Sequence, residues 1–286
     1  MRRPRVGSPG AGPVLSRRRE VSGGSARSLL MTVLGEYVLP GDEPVWTGTL
    51  VGALAMVGVE EKSARQALAR TAAEGWLESD RVGRRVRWRL TPQGRRLLET
   101  GAERIYSFGT DRHAWDGRWL LVLVSVPESL RDLRHRLRTR LTWAGFGTPN
   151  PGVWISPRSE AEADAQRILA DLALPTAPMS FLGTYGTLGE EADMVAAAWD
   201  LAGVADGYQR FIAEFADLAP ESEDAVLRAQ TRLVHEWRRF PFLDPQLPRE
   251  LLPQWIGATA ADLFADRHVR WRADARRRWA ELAAEA

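Results

Sequence analysis

The stretch Glu61 to Leu90, EKSARQALARTAAEGWLESDRVGRRVRWRL, changes its apolar period from 3.6 residues to two, which commits the chain to a helix followed directly by a hairpin. At about 100° per residue, Ala64, Ala67, Leu68, Thr71 and Gly75 share one helix face, and Lys62, Ser63, Arg65, Gln66, Arg70 and Ala73 share the other. The inner residues are small enough for close packing on a neighbouring helix, and the outer ones carry long donors. Beyond Gly75 an extended segment begins at Trp76 and Leu77. Val86, Trp88 and Leu90 then alternate with Arg85, Arg87 and Arg89, as in a half-buried strand. Asp80 to Arg84, holding Gly83, is expected to form the tip. Arg81 and Arg84 there, with the strand arginines, suit phosphate oxygens spaced along a nucleic-acid backbone.

Charge sharpens this expectation. The net +2 of the 286 residues divides into +7 for residues 1–112 (19 Lys+Arg, 12 Asp+Glu) and −5 for the remainder (20 against 25). The N-terminal part alone therefore has the balance of a polyanion binder. The absence of cysteine excludes disulfides, thiolate catalysis and cysteine-held metals. No apolar run is long enough to span a bilayer and the basic N-terminus lacks the apolar core of a signal peptide, so a cytoplasmic protein is expected.

Residues 1–24, rich in Arg, Gly, Pro and Ser, read as a disordered tail. Ser25 caps a first helix carrying Leu29, Leu30, Val33, Leu34, Tyr37 and Val38, stopped by Pro40 and Gly41. Thr47 is placed as the cap of a second, and Gly58 to Glu60 as the turn into the third, which lacks a good capping residue. After the hairpin, Thr91 and Pro92 open a helix leading out of a domain spanning 25–106. Helix, short turn, helix and basic hairpin in that order form the pattern of a winged helix. A charged helix face is usually plain solvated surface and a charged edge strand usually blocks aggregation, so the succession carries the nucleic-acid reading.

A polar linker, 107–117, precedes a second domain, 118–187. Trp119 to Val126 reads as a central strand covered on both faces, Pro127 as a helix start with Leu130, Leu133, Leu137 and Leu141 inward, and a weak strand lies near Phe146. Val153 to Ser156, a helix capped by Ser159, and Met179 to Leu182 complete a βαββαβ order, the ferredoxin-like arrangement. Residues 188–286 read as an all-helical domain, with helices over Trp199 to Leu218, Ser222 to Phe240 and Thr259 to Leu282. The segment FPFLDPQLPRELLP lies between the last two. The fold class is α+β, multidomain.

The blocks SARSLLMTVLGEYVLP, KSARQALARTAAEGWLES, GRWLLVLVSVPE, GFGTPNPGVWISP and LVHEWRRFPFLDPQLP resemble, in order, the phenylacetate-pathway repressors, the PaaX-like regulators. The resemblance covers Ser25 to about residue 280. It implies a dimeric transcription regulator with a winged helix, a ferredoxin-like domain similar to that of small CRISPR-associated nucleases, and a helical C-terminal domain. Carried over, it places Ser63, Arg65, Gln66 and Arg70 on the recognition helix and Arg84 and Arg85 on the wing. With Lys62, Arg81 and Arg87, these make up the expected contact set for double-stranded operator DNA, bound by a homodimer reading an inverted repeat. The founding members are released from DNA by phenylacetyl-coenzyme A.

An enzymatic alternative is a nucleic-acid-processing activity in the central domain. Metal-dependent nucleases of similar fold hold a carboxylate near the end of the first strand, where this chain has Val124, Ser125 and Val126. No catalytic residue, metal or cofactor is expected, and His113, His135, His235 and His268 are too scattered for a ligand set. Gly183 to Gly189 lacks the lysine of a phosphate loop. For an aromatic acyl-coenzyme A effector, Trp237, Arg238, Arg239, Phe240 and Phe242 combine rings with guanidinium groups. The competing reading makes these rings helical core and pairs the arginines with acids such as Asp244.

Overall fold

The computed structural model describes residues 25–109 and 114–285; the expected basic tail and His113 lie outside them. The first helix, α1 (Ala26–Val33), is capped as expected: Ser25 Oγ accepts from the Ser28 N–H at 3.1 Å. It widens into a π-helical turn, Leu34–Val38. A two-residue strand, β1 (Val45–Trp46), leads into α2 (Thr47–Met56). The Thr47 side chain does not cap that helix. Its hydroxyl is taken by the strands instead, donating to the Val86 carbonyl at 3.0 Å and accepting from Trp88 Nε1 at 2.9 Å.

Both helices around the next turn end in the same way. Gly58 (φ 85°) donates to the Ala55 carbonyl and Val59 to that of Leu54, and after α3 (Glu61–Ala73) Gly75 (φ 77°) and Trp76 bond to Ala72 and Thr71. This left-handed closure satisfies the last carbonyls and needs glycine at its positive φ. Ala64, Ala67, Leu68 and Thr71 of α3 are buried as the spacing predicted. Strands β2 (Leu77–Val82) and β3 (Arg85–Leu90) pair from Leu77↔Leu90 to Val82↔Arg85. The tip is therefore Gly83 and Arg84 alone, shorter than the expected Asp80 to Arg84. Gly83 at φ 61° meets the demand of a two-residue hairpin turn. β1 adds a third strand, giving the order β1-β3-β2. Thr91 Oγ1 accepts from the Gly94 N–H at 3.0 Å and so caps α4 (Pro92–Tyr106).

The central sheet is built from β4 (Trp119–Leu123), α5 (Arg131–Trp143), β5 (Gly147–Asn150), β6 (Val153–Ser156), α6 (Ala161–Leu172) and β7 (Met179–Gly183). Its strand order is β5-β6-β4-β7 with every neighbour antiparallel. β4 is central and covered on both faces: Leu120, Val122 and Val124 pack with Leu137, Leu141, Ala161 and Ala165, while Trp119 packs with Val195 and Ala198 of α7 (Glu191–Ala198). Two helix starts differ from expectation. Pro127 to Leu130 is a turn closed by Leu130 N–H to the Pro127 carbonyl at 3.0 Å, and Leu130 (φ −104°, ψ 54°) is not helical, so α5 begins at Arg131. Ser159 uses its carbonyl, not its side chain, to accept from Glu162 N–H, and α6 starts at Ala161.

Helices α8 (Leu201–Phe215), α9 (Glu223–Trp237), α10 (Phe240–Leu243) and α11 (Gly257–Glu285) complete the described chain. Asp200 and Ser222 cap α8 and α9. The described residues after 188 divide between two compact units: 219–239 and 265–285 group with residues 25–104, and 240–264 group with the described residues of 105–218. In the first unit Leu227, Ala275 and Trp279 join Leu30, Leu34, Leu50, Leu54 and Leu68 in one apolar cluster, and Trp279 stacks on Tyr37 at 5.1 Å. In the second, Asp244 Oδ2 accepts from Tyr208 Oη and Trp255 Nε1, each at 2.7 Å, and Oδ1 from the Gln246 N–H. Asp244 thus fastens the proline-rich segment rather than pairing with arginine. No helix among the described residues is long and apolar enough to cross a membrane.

Candidate nucleic-acid interface

With its small face buried, α3 turns Lys62, Arg65, Gln66 and Arg70 outward, all exposed, with Ser63 at the margin. Arg65 Nε bonds Glu61 Oε1 at 2.8 Å, an exposed i,i+4 pair of the kind worth a few tenths of a kcal/mol. Among the described residues Lys62, Gln66 and Arg70 have no side-chain partner. They present an ammonium, an amide and a guanidinium at the surface.

The hairpin distributes its charges less uniformly than its sequence suggests. Directly opposed residues share a sheet face, so Arg87 meets Asp80 and Arg89 meets Glu78. Arg87 Nη2 donates to Asp80 Oδ2 at 2.8 Å and Arg89 Nε to Glu78 Oε1 at 2.7 Å. Arg85 lies over the Trp46 ring, its Cζ 4.0 Å from the centroid, which holds the guanidinium without neutralising it. Arg81 Nε donates to the Gly83 carbonyl at 3.2 Å, inside the tip. Arg84, at the tip, has no partner among the described residues. The cations of the hairpin that no acid offsets, among the described residues, are therefore Arg81, Arg84 and Arg85.

Two features here escape the sequence. β1 is two residues long, below the length at which periodicity registers, yet it places Trp46 under Arg85. The partners of Arg87 and Arg89 are legible in principle, because Asp80 and Glu78 alternate as the arginines do, but only the register puts each acid opposite a base.

The effector candidates span the two compact units. Trp237, Arg238 and Arg239 belong to the first compact unit and Phe240 and Phe242 to the second. Trp237 and Phe240 are fully buried, Phe240 stacking on Tyr208 at 4.0 Å, and Phe242 is tilted against Trp143 at 6.2 Å. Arg239 pairs with Glu236 at 3.2 Å. Arg238 Nη1 donates to the Ser28 carbonyl at 2.6 Å and to Thr32 Oγ1 at 3.0 Å. Near it, His235 is buried, and burial first, then the charges of Arg238, Arg239 and Arg232, lower its pKa to about 4.

Residues 25–94 match the family model for PaaX-like proteins, residues 112–195 that for the PaaX protein central Cas2-like domain, and residues 199–281 that for the PaaX-like protein C-terminal domain. Over 260 residues the chain is 32% identical to the transcriptional repressor PaaX of Escherichia coli (strain K12), covering 86% of this chain and 80% of that protein. An uncharacterized protein of Mycobacterium tuberculosis has a similar fold, with a TM-score of 0.56 at 23% identity over 89% of this chain and 98% of its own. Three consecutive domain matches and a relative aligned through most of both chains establish that this chain belongs to the PaaX-like family.

Proposed function

We propose that the chain is a transcriptional repressor that binds operator DNA through α3 and the β2–β3 hairpin, acting as recognition helix and wing of a winged helix. The kinship with a repressor supports a regulator and not an enzyme, and the nucleic-acid-processing alternative is set aside. The observation that carries the DNA part is the outer face of α3, where Lys62, Gln66 and Arg70 stand exposed without side-chain partners among the described residues, on a helix whose other face is packed. In a major groove Gln66 and Arg65 reach base edges, Arg65 by exchanging its weak pair with Glu61, while Lys62, Ser63 and Arg70 hold phosphates. Arg81, Arg84 and Arg85 hold the flanking backbone, and Arg87 joins them on leaving Asp80.

The rest of the proposal follows from family membership. The central βαββαβ unit is read as a ferredoxin-like domain, the active species as a homodimer in the cytoplasm on an inverted repeat, and the releasing signal as an aromatic acyl-coenzyme A such as phenylacetyl-coenzyme A. Mobility-shift titration on the DNA upstream of the gene tests the binding. Loss of the complex on adding phenylacetyl-coenzyme A supports that effector, and an unchanged complex at millimolar ligand removes it.

A further inference from the structure

The central unit carries a basic surface that the proposed recognition helix and wing do not account for. Helix α5 holds five arginines and one aspartate between positions 131 and 140, a net +4, while the rest of residues 113–286 holds 15 Lys+Arg against 24 Asp+Glu, a net −9. Its inner face is fixed by Leu133, Leu137 and Leu141 in the core beneath the sheet. Arg131, Arg134, His135 and Arg138 therefore fall on one exposed stripe, at the i, i+3, i+4 and i+7 positions. Among the described residues Arg131, His135 and Arg138 have no partner. Arg134 reaches only the exposed Glu128, at 3.8 Å. Like charges at i,i+3 and i,i+4 destabilise a helix, so this stripe works against the element that bears it.

We propose that the outer face of α5 is a second, sequence-independent contact for the phosphate backbone of double-stranded DNA, an inference that rests on the DNA-binding reading above. The shape favours a backbone over a compact anion. The stripe runs about 10 Å along the helix axis, presents guanidinium forks suited to phosphate oxygens, and is exposed at all four positions. A nucleotide ligand needs a concavity, and none of these side chains lines the 570 Å³ depression on this unit, bounded by Gln166, Leu169, Ala170 and residues 173–178.

The test uses the full chain and a mixed-sequence 60-base-pair duplex, with affinity measured by fluorescence anisotropy at several salt concentrations. Removing one phosphate-binding side chain lowers the slope of log K against log salt by about 0.9. The triple variant R131Q/R134Q/R138Q is expected to lower it by about 2 to 3, and R131K/R134K/R138K to retain the slope of the unsubstituted protein. A Gln variant whose slope equals that of the unsubstituted protein overturns the second contact and leaves the first intact. An unsubstituted protein that binds neither this duplex nor operator DNA at low salt overturns both. A decrease of slope in the Lys variant as large as in the Gln variant makes the stripe structural and also overturns the proposal.

Discussion

Thr32 Oγ1 and His235 Nδ1, 203 positions apart in the chain, lie 3.0 Å apart in the interior of the first unit. Arg238 donates to the same hydroxyl and to the Ser28 carbonyl one turn earlier, so the end of α9 is fastened to α1 by a polar cluster as well as by apolar packing. Nearby, Gln230 Nε2 donates to the buried Glu36 carboxylate at 3.0 Å, and Tyr37 Oη and Thr231 Oγ1 are 2.9 Å apart. These bonds, with Leu227 and Trp279 in the shared core, make α9 and the part of α11 beyond residue 264 members of the unit that carries the proposed recognition helix.

The buried His235 makes stability depend on pH. Its pKa is lowered to about 4, so between about 6.5 and 4 the unfolded chain binds a proton that the folded chain refuses. The stability held above pH 6.5 is lost as pH falls through this window, by up to about 3 kcal/mol from this group alone. Urea denaturation at pH 7 and pH 5 is expected to show the loss, and His235→Gln to flatten the dependence.

Gly94 admits no side chain. A Cβ there would stand 2.1 Å from the Trp76 carbonyl oxygen, which the Thr91 N–H already occupies at 3.1 Å. Gly94→Ala is expected to destabilise the first unit by about 1–3 kcal/mol, as overpacking does, instead of showing the gain that alanine ordinarily brings to a helix. Chemical denaturation checks the sign.

Trp279 is 8% exposed and stacked on Tyr37. Trp279→Ala is expected to cost about 3–5 kcal/mol and to weaken DNA binding through a loosened α1, although the residue is far along the chain from α3. Unfolding free energy and DNA affinity measured on the same preparation should fall together.

On the hairpin, Arg84 has no partner among the described residues, whereas Arg87 shares its charge with Asp80. Arg84→Gln is expected to lower the salt slope of DNA binding by about one. Asp80→Asn removes an acid and releases Arg87, and is expected to raise affinity for any duplex. Anisotropy titrations across salt concentrations separate the two.

What is legible in the sequence is local. The caps at Ser25 and Thr91, the glycine stop at Gly58 and the two faces of α3 follow from neighbouring residues, and each is where its signal placed it. Packing partners are not legible. The apolar stripe of α9 says that one face is buried, not that Leu227 meets Leu30 and its neighbours. The division between units, which runs between Arg239 and Phe240, has no signal in the sequence either. The start of α5 falls later than its sequence suggests because proline at a first helical position and proline in a turn have the same local signature.

The central claim is that the outer face of α3 reads bases. In vitro selection from a random duplex pool, run with the unsubstituted protein and with Gln66→Ala, tests it most directly. The unsubstituted protein is expected to enrich an inverted repeat with half-sites about one helical turn, or a multiple, apart, and Gln66→Ala to lose preference at one position in each half-site while keeping the others. Enrichment of no sequence, or identical preferences for both proteins, would contradict it.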